Sequence, residues 1–525
     1  MTRIKKIKKI LAGICGILML TPANITNLSA FAENPDADQL PADFWFYKGD
    51  LDQDLSVGIT DLILMQKYLL GLEQITEEQF LIGDLNSDRI VNIYDFVLLK
   101  RVVLSGEWTM IRHKPPQDEP DLFISAPIAE IDASLPSQGN ANLVIFYVDF
   151  PDCQYTYEPT EEELTEIAFG NPDSENANYP FESFSAFYGR SSKNTMQLSG
   201  TVFRYTTKEN QSAYDTDKAK LIQECYAAFD DVIDFSQFDG DGDSIIDATL
   251  FTVPEQAGEE NWWPCAGDSG IYDYMPDDVR IGHIITGNAQ INSATDYKNF
   301  TSSYLHEMGH CMGLPDYYLY YSEDNEGFHG ETDTAGTELM DTDASTDFCC
   351  FSKLMLGWYK ESQISVYDPD QGGQQKFILH NAQTDDGNCL ILPYKDTNYT
   401  SEYIILEYIT SEANNSSSIY PWITVGNGIR AYHVKADIHD NGWWKHFTFE
   451  NGSEFTNEDD EGIRLIRLVN DLEGGDVFRM GDILDDNISG FHWYADDELE
   501  SIDTGYTVTI GACENDQYEV IVTKN

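Results

Sequence analysis

The residues with the clearest chemical potential lie in the stretch HEMGHCMGLPD, at positions 306–316. His306 and His310 are four residues apart, so on a helix both imidazoles leave the same face. Glu307 points to one side of them, within reach of a water near the two imidazoles but not as a ligand. Two neutral imidazoles suit Zn²⁺, and a nearby carboxylate suits a general base. The spacing therefore predicts the centre of a zinc hydrolase, with Glu307 as the catalytic base.

A third ligand is needed to hold the zinc ion, and motif spacing favours Asp316. Glu331 or Glu338 on a following helix would make a different class of zinc site. However, residues 319–338 are rich in Gly, Asp, Glu and Thr and show no helical period. His329 is a further alternative, although a surface or calcium-loop position is the simpler interpretation for it.

The helix that carries this motif has an apolar side opposite its metal-binding side. Its apolar residues are Tyr304, Leu305, Met308, Cys311 and Met312. Their spacing at i, i+1, i+4, i+7 and i+8 predicts a face that packs into the core. Three hydroxyl residues could cap the N-terminus of the helix: Thr301, Ser302 and Ser303. Gly313 permits the sharp turn that ends the helix and lets Asp316 return to the imidazoles.

An acidic loop, DGDGDSIID at residues 239–247, is a second candidate metal site. Its four carboxylates are Asp239, Asp241, Asp243 and Asp247. Ca²⁺ prefers several carboxylate oxygens together with a backbone carbonyl. Because the strand-like run ATLFTV follows directly, we expect calcium to tie this loop to a strand, with a stabilising and not a catalytic role.

Residues 49–106 contain a repeat, each copy an acidic loop followed by an apolar helical run. The first copy offers Asp50, Asp52, Asp54 and Asp61, and the second offers Asp84, Asn86, Asp88, Asn92 and Asp95. Oxygen-bearing side chains at alternating loop positions, with one more at the end of the loop, suit a hard cation. Two matching loops rarely arise by chance, so the repeat predicts a small α-helical module with paired calcium loops.

This repeat resembles a dockerin, the duplicated calcium module that binds cohesins on a cellulosomal scaffold. Leu55 and Arg89 stand where glycine is usual, and Gly58 replaces the usual Asn or Asp. The resemblance implies calcium as a cofactor, weaker binding in the first loop, and a cohesin module of a scaffoldin as partner.

The motif at 306–316 resembles the HExxHxxGxxD motif of the immune inhibitor A family of secreted zinc metallopeptidases. Further landmarks follow in the family order: LVIFYVDFPD, FSAFYGRSSKNTMQLSGTV, FDGDGDSIIDATLFTV, ELMDTD and FSKLMLGW. The resemblance implies an α/β (α+β) metzincin-like zinc peptidase domain over residues 142–360. In it the two histidines and Asp316 bind zinc, Glu307 is catalytic, and Met340 in ELMDTD forms a hydrophobic floor beneath the ion.

The remaining segments divide the chain further. Residues 1–32 combine a basic start, an apolar run and the sequence Ala-Phe-Ala, which predicts a secretory signal peptide and an extracellular product. Residues 33–48 and 107–141 read as linkers. Residues 361–525 contain the runs EYIILEYI, GIRAYHV, YTVTI and YEVIVT, which predict an antiparallel β-sandwich-like domain.

Composition limits the partners. The chain has 91 acidic and 31 basic residues, a net charge of −60, which disfavours nucleic acid and anionic lipid. Beyond the signal segment no stretch is apolar enough for stable membrane insertion. The nine cysteines include no CxxC pair, and the chain is too long for a disulfide scaffold.

The sequence thus predicts a multidomain, secreted, zinc-dependent endopeptidase that hydrolyses proteins and is anchored to a cellulosome scaffold, with zinc and calcium as cofactors. One alternative is a non-catalytic dockerin-borne binding or structural subunit, although the intact Glu307 argues against it. Another is a protease dedicated to glycoproteins such as mucins.

Overall fold

The computed structural model describes most of the chain between residues 44 and 524. The described residues are 44–53, 56–70, 72, 75–76, 79, 82–83, 85, 91, 93–105, 110–113, 133–271, 274–318, 337–341, 346–369, 371–383, 387–395, 400–418, 426–436, 438–440, 445–447, 465–469, 476–494 and 501–524. The predicted signal segment lies outside them. The chain divides into two units, residues 1–120 and 121–525. No helix among the described residues has the length and hydropathy that a membrane crossing requires.

Two helices form the core of the first unit. In chain order its elements are β1 (Phe44–Tyr47), α1 (Ile59–Leu69), α2 (Ile93–Ser105) and β2 (Met110–His113). Leu62 and Met65 of α1 share a buried cluster with Leu99 of α2. Gly49 has a φ of +92°, and a Cβ at this position would lie 2.6 Å from Leu99 Cδ1. Glycine is therefore required where the chain passes over α2.

The strands β1 and β2 pair in antiparallel orientation, with Phe44 opposite His113 and Tyr47 opposite Met110. These residues belong to the segments that the sequence predicts as linkers, 33–48 and 107–141. Each of those segments thus contributes one short strand to the first unit. The aromatic run FWFY in β1 has the composition of a strand, but four residues are too few to show an alternating pattern.

The second unit begins with an α/β region. Its elements are β3 (Gly139–Asp149), α3 (Glu161–Phe169), α4 (Phe184–Ser191), β4 (Met196–Thr206), α5 (Lys218–Phe229), β5 (Ile245–Thr252), α6 (Glu259–Trp262), β6 (Cys265–Asp268), β7 (Arg280–Gly287), α7 (Lys298–Cys311) and α8 (Cys350–Met355). The strands form one sheet in the order β4-β3-β5-β7-β6. All neighbours are parallel except β6, which runs antiparallel to β7 at the edge.

Helices cover both faces of this sheet. Leu143, Ile145 and Tyr147 of β3 lie in a core with residues of α3, α4 and α7. Val144 and Phe146 point the other way, into a second core with residues of α5. This confirms the interpretation of the apolar run LVIFYV as a strand that is buried on both faces.

The rest of the second unit is rich in strands. They are β8 (Ile364–Val366), β9 (Gln374–His380), β10 (Cys389–Pro393), β11 (Glu402–Ile409), β12 (Gly428–Lys435), β13 (Ile438–Asp440), β14 (Lys445–Phe447), β15 (Ile466–Val469), β16 (Ile483–Leu484), β17 (His492–Trp493), β18 (Ile502–Asp503), β19 (Tyr506–Glu514) and β20 (Gln517–Lys524). A five-stranded sheet has the order β15-β12-β11-β10-β8, and a four-stranded sheet has the order β16-β19-β20-β9.

These two sheets share one core, to which Leu390 and Ile404 contribute from the first sheet and Val508 and Val520 from the second. The arrangement agrees with the predicted sandwich except in one pair, because β8 runs parallel to β10. The opposite face of the five-stranded sheet also lies in a core, where residues such as Ile405 join residues of α8. The core therefore continues across the predicted boundary between residues 360 and 361, and that boundary stays a prediction.

Candidate metal centre

Helix α7 carries the predicted zinc-binding histidines, and a distant side chain fixes its N-terminus. The Oδ1 atom of Asn178 accepts hydrogen bonds from the backbone N–H groups of Tyr297, at 3.0 Å, and Lys298, at 3.1 Å. The prediction of a cap at Thr301, Ser302 or Ser303 is wrong, because all three lie inside the helix. Their hydroxyls donate instead to backbone carbonyls within the preceding turn.

The C-terminus of α7 ends as the sequence predicts. Gly313 has a φ of +92°, and the N–H of Leu314 donates to the carbonyl of Gly309 at 3.1 Å. The same turn places the carbonyl oxygen of Leu314 2.7 Å from Nδ1 of His310. The predicted apolar face is also confirmed, since Tyr304, Leu305, Met308, Cys311 and Met312 are all fully buried.

The structure brings His306, His310 and Asp316 together. Nε2 of His306 lies 2.9 Å from Oδ1 of Asp316, and Nε2 of His310 lies 3.2 Å from the same oxygen. One ligand atom from each residue lies within 4.8 Å of the others. His306 and Asp316 are buried, and His310 is partly exposed. Three potential ligand atoms thus converge in a largely buried place, an arrangement that is favourable when imidazole protons or a cation lie between them.

Backbone carbonyls fix both imidazole rings from behind. Nδ1 of His306 lies 2.9 Å from the carbonyl oxygen of Leu339, and Nδ1 of His310 has the equivalent partner in Leu314. A carbonyl only accepts, so each Nδ1 carries a proton, and Nε2 is the atom left to face a ligand. Metal-binding histidines are typically held in this way.

The pKa shifts of His310 and Asp316 have the directions that favour a positive charge beside an ionised carboxylate. Burial opposes a charge on His310, but the hydrogen bond and the negative charge of Asp316 outweigh it and raise the pKa of His310. Burial likewise opposes ionisation of Asp316, but the hydrogen bonds from His306 and His310 hold the pKa of Asp316 well below its usual value. Asp316 is thus ionised at neutral pH, as a metal ligand must be.

Glu307 and Met340 are both buried, the first on α7 and the second packed against it. Glu307 is 5% exposed, and its negative charge contributes to the raised pKa of His310, so its carboxylate is close to the group. Met340 is fully buried, and a Cβ at Gly309 would collide with its sulfur. Met340 therefore packs directly against α7 at Gly309, which lies between the two histidines in sequence. Its role as a floor under zinc stays a prediction.

Of the alternative third ligands, Glu331 and His329 lie outside the described residues. Glu338 is described, and it does not belong to the group formed by His306, His310 and Asp316. Its carboxylate accepts from the backbone N–H of Met340 and from the hydroxyl of Ser352, the latter at 2.6 Å. Burial raises the pKa of Glu338 to about 8, although these hydrogen bonds favour its ionised form.

Sequence reasoning missed the groups that surround the ligands. The carbonyls of Leu314 and Leu339 have no side-chain signature, and nothing in the sequence could have identified them. The ring of Tyr318 stacks on His306, with centroids 6.4 Å apart and planes 20° apart. Its position two residues after Asp316 is the one signal that could have drawn attention to it.

The acidic loop at 239–247 folds around its own carboxylates. Oxygens of Asp239, Asp241 and Asp247 lie within 4.8 Å of one another. Asp247 is fully buried and accepts from the N–H of Gly240 at 2.9 Å and of Asn142 at 2.7 Å. Burial raises the pKa of Asp247 to about 7. These hydrogen bonds tie the loop to β3 and β5, and its predicted role as a stabilising calcium site stays a prediction.

The fourth predicted ligand of that loop, Asp243, is placed differently. It does not join the group of three, and its Oδ1 accepts from the N–H of Ile245 at 2.7 Å. Burial raises the pKa of Asp243, while this hydrogen bond lowers it. The described geometry therefore brings together three of the four carboxylates.

In the first unit, oxygens of Asp50, Asp52 and Asp61 lie within 4.8 Å of one another. Asp61 is fully buried, and it accepts from the N–H of Asp52 at 3.0 Å and of Gly58 at 2.7 Å. Burial raises the pKa of Asp61 to about 6. These three residues form the described part of the first predicted calcium loop.

The second predicted loop is described only in part. Asp95 is fully buried, and its Oδ1 accepts from the N–H of Leu85 at 2.8 Å, in the same manner as Asp61. The remaining predicted ligands lie outside the described residues: Asp54, Asp84, Asn86, Asp88 and Asn92. The pairing of two calcium loops therefore stays a prediction.

Comparison with protein-family models matches residues 48–104 to the dockerin type I domain. The chain has no match among the curated proteins. A dockerin binds calcium and a cohesin module of a scaffoldin, and through that module a chain becomes part of an extracellular cellulosome. Residues 48–104 are thus a dockerin type I domain, which implies that this multidomain chain is anchored to a cellulosome through a cohesin.

Proposed function

We propose that the second unit is a zinc endopeptidase, which the dockerin delivers to a cellulosome. The observation that carries this proposal is the convergence of Nε2 of His306 and Nε2 of His310 on Oδ1 of Asp316. Backbone carbonyls at Nδ1 orient both imidazoles. Groups that are not ligands themselves therefore help to position the ligands.

The donor set fits zinc. Two imidazole nitrogens and one carboxylate oxygen are typical zinc ligands, and hard cations such as Ca²⁺ prefer oxygen alone. Within the described part of the chain no fourth His, Cys, Asp or Glu joins this group. A structural zinc site uses four protein ligands, whereas a catalytic site uses three and keeps one position open. The group therefore favours catalysis over a structural role.

His306, His310 and Asp316 would hold the zinc ion, which when bound would supply Lewis-acid polarisation of a peptide carbonyl and an activated water. Glu307 then serves as the general base: it takes a proton from the attacking water and passes it to the leaving amine. The position of Glu307 directly after His306 keeps its carboxylate beside the ligand group. Its near-complete burial strengthens its electrostatic interaction with the site.

The sheet edge next to α7 favours a polypeptide substrate. Strand β6 is the antiparallel edge strand, and no strand in the described residues pairs with its outer side. Helix α7, which carries both histidines, contacts β6. An extended peptide can add to such an edge through backbone hydrogen bonds. The resemblance of the motif to the immune inhibitor A family points to the same substrate class.

The experiment is hydrolysis of casein by the full chain and by the Glu307→Gln variant, with zinc content measured on the same samples. Glutamine keeps the size of the side chain but cannot accept the proton. We expect one equivalent of zinc in both proteins and a loss of activity of about 10²–10⁴-fold or more in the variant. Glu361→Gln, at an exposed position, is the matched control and should be unchanged. Full activity of Glu307→Gln would refute the proposal.

A further inference from the structure

We propose that Glu338 is a positioning residue that holds two of the three zinc ligands in place from behind. This inference rests on the proposed function, because it concerns the same site. Glu338 is not a ligand in the described geometry, and it lies on the short segment 337–341 that follows the ligands in sequence. Its carboxylate is fully buried and is surrounded by hydrogen-bond donors.

Three donors converge on this carboxylate. Oε2 accepts from the backbone N–H of Met340, while Oε1 accepts from the hydroxyl of Ser352, at 2.6 Å, and from the backbone N–H of Cys349, at 3.4 Å. Ser352 belongs to α8, so the carboxylate connects the turn at 338–341 to that helix. A buried carboxylate with donors on both oxygens fixes the backbone on each side of it.

The first ligand depends on this turn. Leu339 lies between Glu338 and Met340, both of which take part in the hydrogen bond that closes the turn. Its carbonyl oxygen accepts from Nδ1 of His306 at 2.9 Å. The direction of that carbonyl is therefore set by Glu338, and the carbonyl in turn sets the orientation of the His306 ring.

The third ligand is held by the same assembly. Tyr317 directly follows Asp316, and its N–H donates to the carbonyl of Met340 at 2.8 Å. Its hydroxyl lies 3.0 Å from Oγ of Ser352, the same oxygen that donates to Glu338. The chain at Asp316 is thus fixed at two points, both of which lead back to the carboxylate of Glu338.

A carboxyl group, ionised or protonated, is required because each of its oxygens accepts from a backbone N–H: Oε2 from Met340 and Oε1 from Cys349. A glutamine at position 338 has the same shape, but its NH₂ group would face a donor on one side. One of the hydrogen bonds that close the turn would then be lost, and an N–H would be left unpaired in the interior. The substitution therefore disturbs the orientation of the ligands without removing any of them.

The test compares Zn²⁺ affinity, by competition with a chromophoric chelator, and the visible absorption spectrum of the Co²⁺-loaded full chain. For Glu338→Gln we expect Zn²⁺ affinity to fall by about 10–100-fold and the Co²⁺ spectrum to change. The matched control is Glu407→Gln, an equally buried carboxyl on β11 that has no bond to the turn at 338–341. It should keep wild-type affinity and the wild-type spectrum even if it lowers the melting temperature.

A folded Glu338→Gln variant with wild-type affinity and spectrum would overturn the inference and leave the proposed function intact. Absence of Zn²⁺ binding in the wild-type chain would overturn both. If Glu338→Gln does not fold, Ser352→Ala decides, because it removes only the hydroxyl between Glu338 and Tyr317. We expect it to lower Zn²⁺ affinity several-fold with a changed Co²⁺ spectrum, and wild-type values would contradict the inference.

Discussion

The carbonyl oxygen of Leu339 lies 2.9 Å from Nδ1 of His306, although 33 residues separate them in sequence. The contact determines which nitrogen of His306 carries a proton and which is free to bind an ion. It also joins the motif helix to the turn that holds Met340. The candidate metal centre is therefore built from two segments, 306–316 and 337–341.

Removal of Asp316, the proposed third ligand, should release zinc. In Asp316→Ala the two imidazoles lose the carboxylate that both of them face. We expect Zn²⁺ affinity to fall by more than the roughly 10–100-fold that is typical for loss of an outer-shell partner. Equilibrium competition with a chelator measures the change. His329→Ala serves as the control, and a larger loss in that variant would make His329 the third ligand instead.

Contact between Met340 and α7 should make Gly309 sensitive to substitution. A Cβ at Gly309 would collide with the sulfur of Met340 and would lie 3.8 Å from Cε1 of Phe348. Alanine favours a helix over glycine by about 1 kcal/mol, but overpacking a core costs about 1–3 kcal/mol. We therefore expect Gly309→Ala to lower the free energy of unfolding by up to about 2 kcal/mol, as measured by urea denaturation.

The matched control is Gly267→Ala in β6, where a Cβ would meet nothing within 4 Å. We expect its free energy of unfolding to stay within about 0.5 kcal/mol of wild type. Equal effects of the two substitutions would show that the close approach of Met340 to α7 is unimportant.

Stability should fall in mild acid because of His433. This residue is fully buried on β12, and burial holds its pKa below the usual value of 6.5, although Glu402 lies 2.9 Å from its Nε2. Below pH 6.5 the unfolded chain therefore binds a proton that the folded chain does not. The free energy of unfolding should decrease as the pH falls from 6.5 towards the folded pKa, by at most about 1.4 kcal/mol per pH unit.

His433→Gln removes this titration and keeps a donor for Glu402. Its free energy of unfolding, measured by urea denaturation between pH 7.5 and 5.5, should depend less steeply on pH than that of the wild type. Identical slopes for the two proteins would contradict the prediction.

Calcium should act separately on the two units. Asp50→Ala removes one predicted calcium ligand of the dockerin. We expect calcium-dependent binding to cohesin modules to weaken, as chelation of calcium would also do. Asp239→Ala lies in the other unit and should leave cohesin binding unchanged. It should instead lower the melting temperature in calcium, because an ion that binds only the folded state stabilises it.

Binding to a panel of immobilised cohesins, with and without chelator, and thermal denaturation of the same samples measure both effects. Cohesin binding that survives chelation and the Asp50→Ala change would contradict a calcium-dependent dockerin interface.

Local sequence was sufficient wherever one segment acts alone. The run LVIFYV predicts a strand buried on both faces, the spacing of His306 and His310 predicts a shared helix face, and Gly313 predicts the end of α7. Partners distant in sequence could not be predicted. Asn178 caps α7 from 119 residues away. Glu338, considered as a ligand from its residue type, is bonded instead to a turn and a helix that no periodicity connects to it.

The strands after residue 361 show the same limit. Strand β11, EYIILEYI, is buried along its whole length. An antiparallel sandwich predicts one exposed face, but the second face of this sheet packs on α8 and the α/β region. Similarly, β8 joins β10 in parallel because the chain passes through β9, in the other sheet, before it reaches β10.

The most direct test of a zinc peptidase is removal and restoration of the metal. The full chain would be treated with a zinc chelator, dialysed in calcium-containing buffer, and then titrated with Zn²⁺ while casein hydrolysis is measured. We expect activity to disappear with the zinc and to return at one equivalent per chain, with no recovery in Glu307→Gln. Casein hydrolysis that persists in the zinc-free protein, or none at one equivalent of bound zinc, would contradict this account.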